Sequence, residues 1–143
     1  LAEFYLMSGE SKPAAEQYKL IVQQHPKYVP GLNNLASAYQ QEKNPLALEY
    51  AEKAYELAPE NPAILDTLGW ILVEQGNTGR GLPLLQKAIS LAPEMPAIRY
   101  HLAYGLAKSG DKTKARKELE QTLASGKHFS EMDEARALLK QIQ

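Results

Sequence analysis

The sequence predicts an all-α fold: a stack of four helical pairs, the first of them truncated, followed by one further helix. Three observations carry this expectation. Small and apolar residues recur at a near-constant period, with Leu1, Leu35, Leu68 and Leu102 spaced 34, 33 and 34 apart. Self-similarity at such a period marks a repeat architecture, in which one unit cannot bury its own apolar face. Within each period the apolar residues fall into two runs of 3.6-residue spacing. No stretch alternates between apolar and polar residues with period two, so no strand is predicted.

Residues 1–27 are the truncated first unit. Leu1, Ala2 and Tyr5 belong to a first helix without its opening turn, and Gly9 ends it. Ser11 is placed to cap a second helix carrying Ala14, Tyr18 and Ile21. The chain is therefore expected to be the C-terminal piece of a longer array, leaving Phe4, Tyr5 and Tyr18 partly uncovered at an open, self-associating edge. Residues 28–60 form the second unit, with Leu35, Ala36 and Tyr39 in one helix and Ala47, Ala51 and Ala54 in the next. Asn44 followed by Pro45 reads as an N-cap with proline at the first helical position. The spacing from Gly9 to Lys43 is 34 but from Ala14 to Ala47 is 33, so one residue is missing in this turn.

Residues 61–94 form the third unit. Ile64, Leu65, Leu68, Leu72 and Gln75 stripe its first helix, and Gly76 terminates it. Leu82, Leu85, Ala88 and Ile89 stripe the second, whose start Pro83 is expected to bend. Residues 95–126 repeat the plan with Leu102, Ala103 and Leu106, a Gly110-Asp111 boundary, then Ala115, Leu119 and Thr122. Pro26, Pro59, Pro93 and Pro96 stop second helices or start first ones. Residues 127–143 are a linker and a closing helix at 130–142. Ser130-Glu131-Met132-Asp133 matches a capping box, and Ala135, Leu138, Leu139 and Ile142 form its apolar face. Its outer face of Glu134, Arg136, Lys140 and Gln141 reads as a solvating cap on a true array end.

Two small columns have a steric reason. Ala2, Ala36, Gly69 and Ala103 lie opposite Ala14, Ala47, Gly81 and Ala115 where second helices cross first ones. Small side chains there let axes approach toward the short end of the usual ~8–10 Å.

The wording Leu68-Gly69, Leu72, Gly76-Asn77, Gly81, Leu85, Ala88 and Pro93 resembles the tetratricopeptide repeat, and the resemblance runs through residues 1–126. It departs from that pattern where Gly31, Leu65 and Ile98 replace an aromatic, and where Pro83 follows Gly81. The resemblance implies a right-handed superhelical solenoid with a C-terminal capping helix. It also implies a non-catalytic scaffold whose first helices line a concave groove for a peptide segment. Rotated away from the buried leucine column, the groove residues would be Asn33, Ser37 and Gln40; Asp66, Trp70 and Glu74; and Tyr100, Tyr104 and Lys108. Trp70 and Tyr104 stand 34 residues apart and are expected to stack as an aromatic strip. Chaperone-binding members clamp a peptide carboxylate with lysines and asparagines. Here Asn33 is present, but Asp66 and Tyr100 stand where lysines are needed, and Asp66 would repel a carboxylate.

A narrower resemblance lies in Asp66-Thr67-Leu68-Gly69-Trp70-Ile71-Leu72, Pro96-Ala97-Ile98-Arg99-Tyr100-His101-Leu102-Ala103 and Ala137-Leu138-Leu139. This is similar to the last repeats of long bacterial lipoproteins of the same family that accompany exopolysaccharide and PEP-CTERM protein-sorting systems. It implies an exported parent anchored at the outer membrane, with the periplasm as the favoured compartment. A structural homo-oligomer assembling through repeat edges is the alternative function.

Catalytic chemistry is sought without result. Sixteen Lys plus Arg against seventeen Asp plus Glu give a net charge of −1, which argues against a nucleic-acid binder. Cysteine is absent, which excludes disulfides, thiolate metal sites and cysteine nucleophiles. No run of 18 apolar residues and no signal peptide is visible. Gly76-Asn77-Thr78-Gly79-Arg80-Gly81 follows a helix and lacks the Gly-Lys-Ser/Thr ending of a phosphate loop, so it reads as a turn. His25, His101 and His128 have no partner at metal spacing and read as lone surface or helix histidines. Glu49, Glu52, Glu56 and Glu60 form a solvated face, with Glu49 and Lys53 at a favourable i, i+4 spacing. Lys108, Lys112, Lys114, Arg116, Lys117 and Lys127 spread around their helix rather than forming an anion site. No enzyme activity, metal or cofactor is expected.

Overall fold

The structure is a computed structural model that describes residues 11–143. Among these it contains α-helices and no strand: α1 (Ser11–Gln24), α2 (Val29–Gln41), α3 (Leu46–Leu57), α4 (Pro62–Glu74), α5 (Thr78–Leu91), α6 (Pro96–Lys108), α7 (Lys112–Ala124) and α8 (Met132–Ile142). Each helix packs on the next, and the closest pairings are α4 with α5, α2 with α3 and α6 with α7. The helices α2, α4 and α6 also touch one another in turn, so they form the inner layer of an all-α solenoid. The expectations placed on Leu1, Ala2, Phe4, Tyr5 and Gly9 lie outside the described residues, as does the Ser11 side chain.

The turns inside each pair follow from one local geometry. Gly76 and Gly110 adopt φ of 90° and 96°, where a Cβ would crowd the following carbonyl. The residue after each returns its amide to the helix just left: Asn77 to the Leu72 carbonyl at 2.8 Å and Asp111 to Leu106 at 2.9 Å. Lys43 occupies the matching position at φ 58°, and Asn44 bonds back to Tyr39 at 2.8 Å. The same three residues then cap the next helix. Asn44 accepts from the Leu46 amide at 2.9 Å, Asn77 from Arg80 at 3.2 Å and Asp111 from Lys114 at 3.1 Å. The helix α5 runs through Pro83 without interruption.

The small columns lie at the helix crossings. A Cβ on Gly81 would lie 2.8 Å from Val73 Cγ2 and 2.9 Å from the Gly69 carbonyl oxygen, while one on Gly69 would lie 2.8 Å from Leu85 Cγ. Here α4 and α5 meet backbone to backbone. The core divides along the stack. Tyr18, Leu35, Tyr39, Leu68 and Ile71 gather between α1 and α4, and Leu85, Leu102, Leu119, Phe129 and Ile142 gather toward α8.

Three expectations need correction. Tyr18 is not an uncovered edge residue: it is 3% exposed, in the same cluster as Ala36 and Tyr39. The capping box does not form: α8 begins at Met132 with no side-chain cap, two residues after Ser130, and the Asp133 carboxylate stands 3.5 Å from Arg136 instead. Glu49 does not pair with Lys53, whose ammonium lies 4.8 Å from the Tyr50 ring centroid. The acidic face is met from the neighbouring unit, with Glu52 against Arg80 and Glu60 against Lys87, each at 2.8 Å.

Candidate functional site

Residues of the α4 inner face recur every four positions, which places Asp66, Trp70 and Glu74 in one row along the inner layer. The rows of α2 and α6 flank it. Ser37, Gln40, Asp66, Trp70, Glu74 and Tyr104 are half-buried in this surface and Lys108 is exposed. A cleft of about 340 Å³ opens there. Its walls are Ser37 and Gln40 from α2, Asp66 and Trp70 from α4, His101 from α6 and Glu131 from the segment before α8. Asn33 is half-buried on α2 but does not line the cleft, and its Oδ1 is buried without a hydrogen-bond partner. The Gln40 amide donates to the Glu74 carboxylate, and Lys43 stands 3.9 Å from the other Glu74 oxygen.

His101 is the centre of the arrangement, against the sequence-based expectation of a lone histidine. It is 6% exposed, with Nδ1 2.7 Å from Asp66 Oδ1 and Nε2 2.9 Å from both Glu131 oxygens. A carboxylate can only accept, so a ring held between two carboxylates donates from both nitrogens and is an imidazolium. Burial alone would lower the imidazole pKa. The Asp66 charge and hydrogen bond, joined by those of Glu131, outweigh it and push the pKa up to about 10. The ring also stacks on Trp70, with centroids 4.1 Å apart and planes 21° apart, which places the cation over the indole face.

The signal for this triad was present in the repeat. First helices one period apart lie side by side, so residues about 34 apart become neighbours. Asp66 stands 35 before His101 and Glu131 stands 30 after it. Spacing within one helix carries no sign of partners held on other segments. With both nitrogens protonated, His101 has no lone pair to accept a proton or ligate a metal.

The aromatic residues differ from expectation in detail. Trp70 and Tyr104 touch edge-on, with centroids 5.0 Å apart and planes at 69°, rather than stacking. Tyr100 is not a groove residue. It is 5% exposed because the segment before α8 brings Phe129 against it, 6.4 Å between centroids, with Trp70 on another side at 6.0 Å. Burial, and then the Glu131 charge, raise the Tyr100 phenol well above its ordinary pKa. Lys108 lies over Tyr104, 5.4 Å from its centroid. On α7, Arg116 is half-buried and donates to the Ile142 carbonyl, which ties α8 to α7.

Fold and cleft together define a helical-repeat protein whose inner layer carries an aromatic, acidic cleft. Residues 72–142 match the tetratricopeptide repeat family model. A thermophilic TPR protein of Thermus thermophilus superposes with a TM-score of 0.79 at 22% identity, over 99% of this chain and 77% of that one. PilW, described as a widely conserved type IV pilus biogenesis factor, gives 0.79 at 22% identity over 99% and 68%. MamA of Desulfovibrio magneticus gives 0.72 at 18% identity over 86% and 70%. These likenesses show the fold. No curated protein matches the sequence.

Proposed function

We propose that this protein is a non-catalytic scaffold that binds a segment of a partner protein along its concave face. We place it within a bacterial envelope, protein-sorting or exopolysaccharide-export system. The observation that carries the binding reading is the pairing of half-buried Trp70 and Tyr104 beside an open cleft with a polar rim. Aromatic residues with a polar handle are the usual anchors of such surfaces. The non-catalytic reading is supported by His101, whose two ring nitrogens are both committed to carboxylates. The envelope reading is supported by the phrasing around Asp66–Leu72 and by the likeness in fold to a pilus biogenesis factor. A pull-down from the source cells, comparing wild type with the Trp70→Ala, Tyr104→Ala double variant, tests the binding surface. Loss of a bound protein by a variant with native circular dichroism is the expected result. Retention of every partner at unchanged affinity would move the surface elsewhere, with the basic stretch Lys112–Lys117 the next to test.

Assembly through a repeat edge is the second reading. Tyr28 is 52% exposed and, with Ile21 and Pro26, borders an open cleft between α1 and α2. Sedimentation over a concentration range separates the two.

A further inference from the structure

The charge balance of the cleft says what part of a partner it accepts. We propose that it receives one basic side chain of an extended partner segment, arginine in preference to lysine. The cationic head meets Asp66 and the aliphatic stem lies along Trp70. This deepens the concave-face reading above and rests on it.

The triad at the back of the cleft is not neutral. One imidazolium faces two carboxylates, Asp66 and Glu131, which leaves a surplus of one negative charge. No lysine or arginine lines the cleft to offset it. Of the bases on neighbouring segments, Lys43 stands 3.9 Å from Glu74 and Lys108 lies over the Tyr104 ring. The surplus also has an open acceptor. Asp66 Oδ1 takes the His101 proton, whereas Oδ2 accepts no hydrogen bond from the described residues, and the side chain is 18% exposed. A partly desolvated carboxylate oxygen with vacant lone pairs favours a charged donor over water.

The same geometry turns anions away. Both His101 N–H groups are spent on carboxylates and the Gln40 amide on Glu74, so an incoming carboxylate or phosphate would meet net negative charge. The volume of about 340 Å³ lies at the low end of the roughly 300–1,000 Å³ found for ligand pockets, which suits one long side chain. Trp70 supplies the wall for its methylene stem, and a planar guanidinium matches both the indole and a carboxylate edge better than an ammonium does.

The test is a peptide-display selection on the whole chain, followed by fluorescence polarisation with the selected peptide and three derivatives. These carry lysine, citrulline or glutamate in place of the enriched arginine. The expected result is enrichment of one basic position, a loss of tenfold or more with citrulline, and a larger loss with glutamate. Asp66→Asn, which retains the oxygen that accepts from His101, is expected to bind arginine and citrulline forms alike. The arginine-to-citrulline comparison on wild type stands even if that variant fails to fold. Selected peptides that need Trp70 yet carry no base, or bind equally as citrulline, overturn the charge inference and leave the concave face standing. Peptides indifferent to Trp70→Ala, or an empty selection, overturn both.

Discussion

Replacing His101 with phenylalanine keeps the ring on Trp70 and removes both N–H donors. Asp66 and Glu131 then face each other across an apolar edge with nothing to compensate them. Two routes give the magnitude. A pKa carried from 6.5 to about 10 corresponds, at 1.36 kcal/mol per unit, to a ceiling of about 5 kcal/mol. Removing one partner of a buried ion pair costs about 3–5 kcal/mol. The carboxylates retain 18% and 28% exposure and can turn to water, so the lower end, about 3 kcal/mol, is expected. The sign with pH follows from a folded-state pKa raised above the unfolded value. The stabilisation is complete below pH 6.5 and is lost as pH rises toward about 10, at roughly 1.4 kcal/mol per pH unit. Urea unfolding of wild type and His101→Phe, followed by circular dichroism from pH 6 to 10, measures it. Subtracting the variant cancels the lysines and tyrosines that titrate in the same range. A difference that stays flat across this window, or widens as pH rises, would refute the buried imidazolium.

Two further outcomes concern the frame that holds the cleft. Gly81→Ala places a methyl 2.9 Å from the Gly69 carbonyl, backbone that cannot step aside, and is expected to lower stability by about 1–3 kcal/mol in thermal melts; an unchanged midpoint would show that α4 and α5 can separate freely. Lys43→Gly relieves a left-handed residue at φ 58° and is expected to stabilise the chain by about 1 kcal/mol; denaturant midpoints that fall instead would mean the lysine contributes more through Glu74 than its backbone strain removes.

The stacked helical pairs were legible because each element is specified by residues close in sequence. Leu68 and Leu72 stripe α4, Gly76 takes the left-handed turn, and Asn77 caps α5, all within ten residues of one another. The small residues Gly69 and Gly81 were legible too, since close helix crossing leaves no room for anything larger. The centre of the cleft was not. His101 acquires its partners from Asp66 on the preceding first helix and Glu131 in the segment before α8, and only the packing of α4, α6 and that segment brings the three together. Competition between interactions decided the rest. Glu131 carries no capping role in the Ser130–Asp133 box, and its carboxylate meets the imidazolium; the same segment carries Phe129 over Tyr100 and closes off a residue expected in the groove. Local sequence specifies which backbone amides need caps and where helices stop. Tertiary packing determines which charge faces which, because Asp66 and Glu131 lie 35 and 30 residues from His101 in sequence and an ion pair strengthens only where packing partly desolvates it.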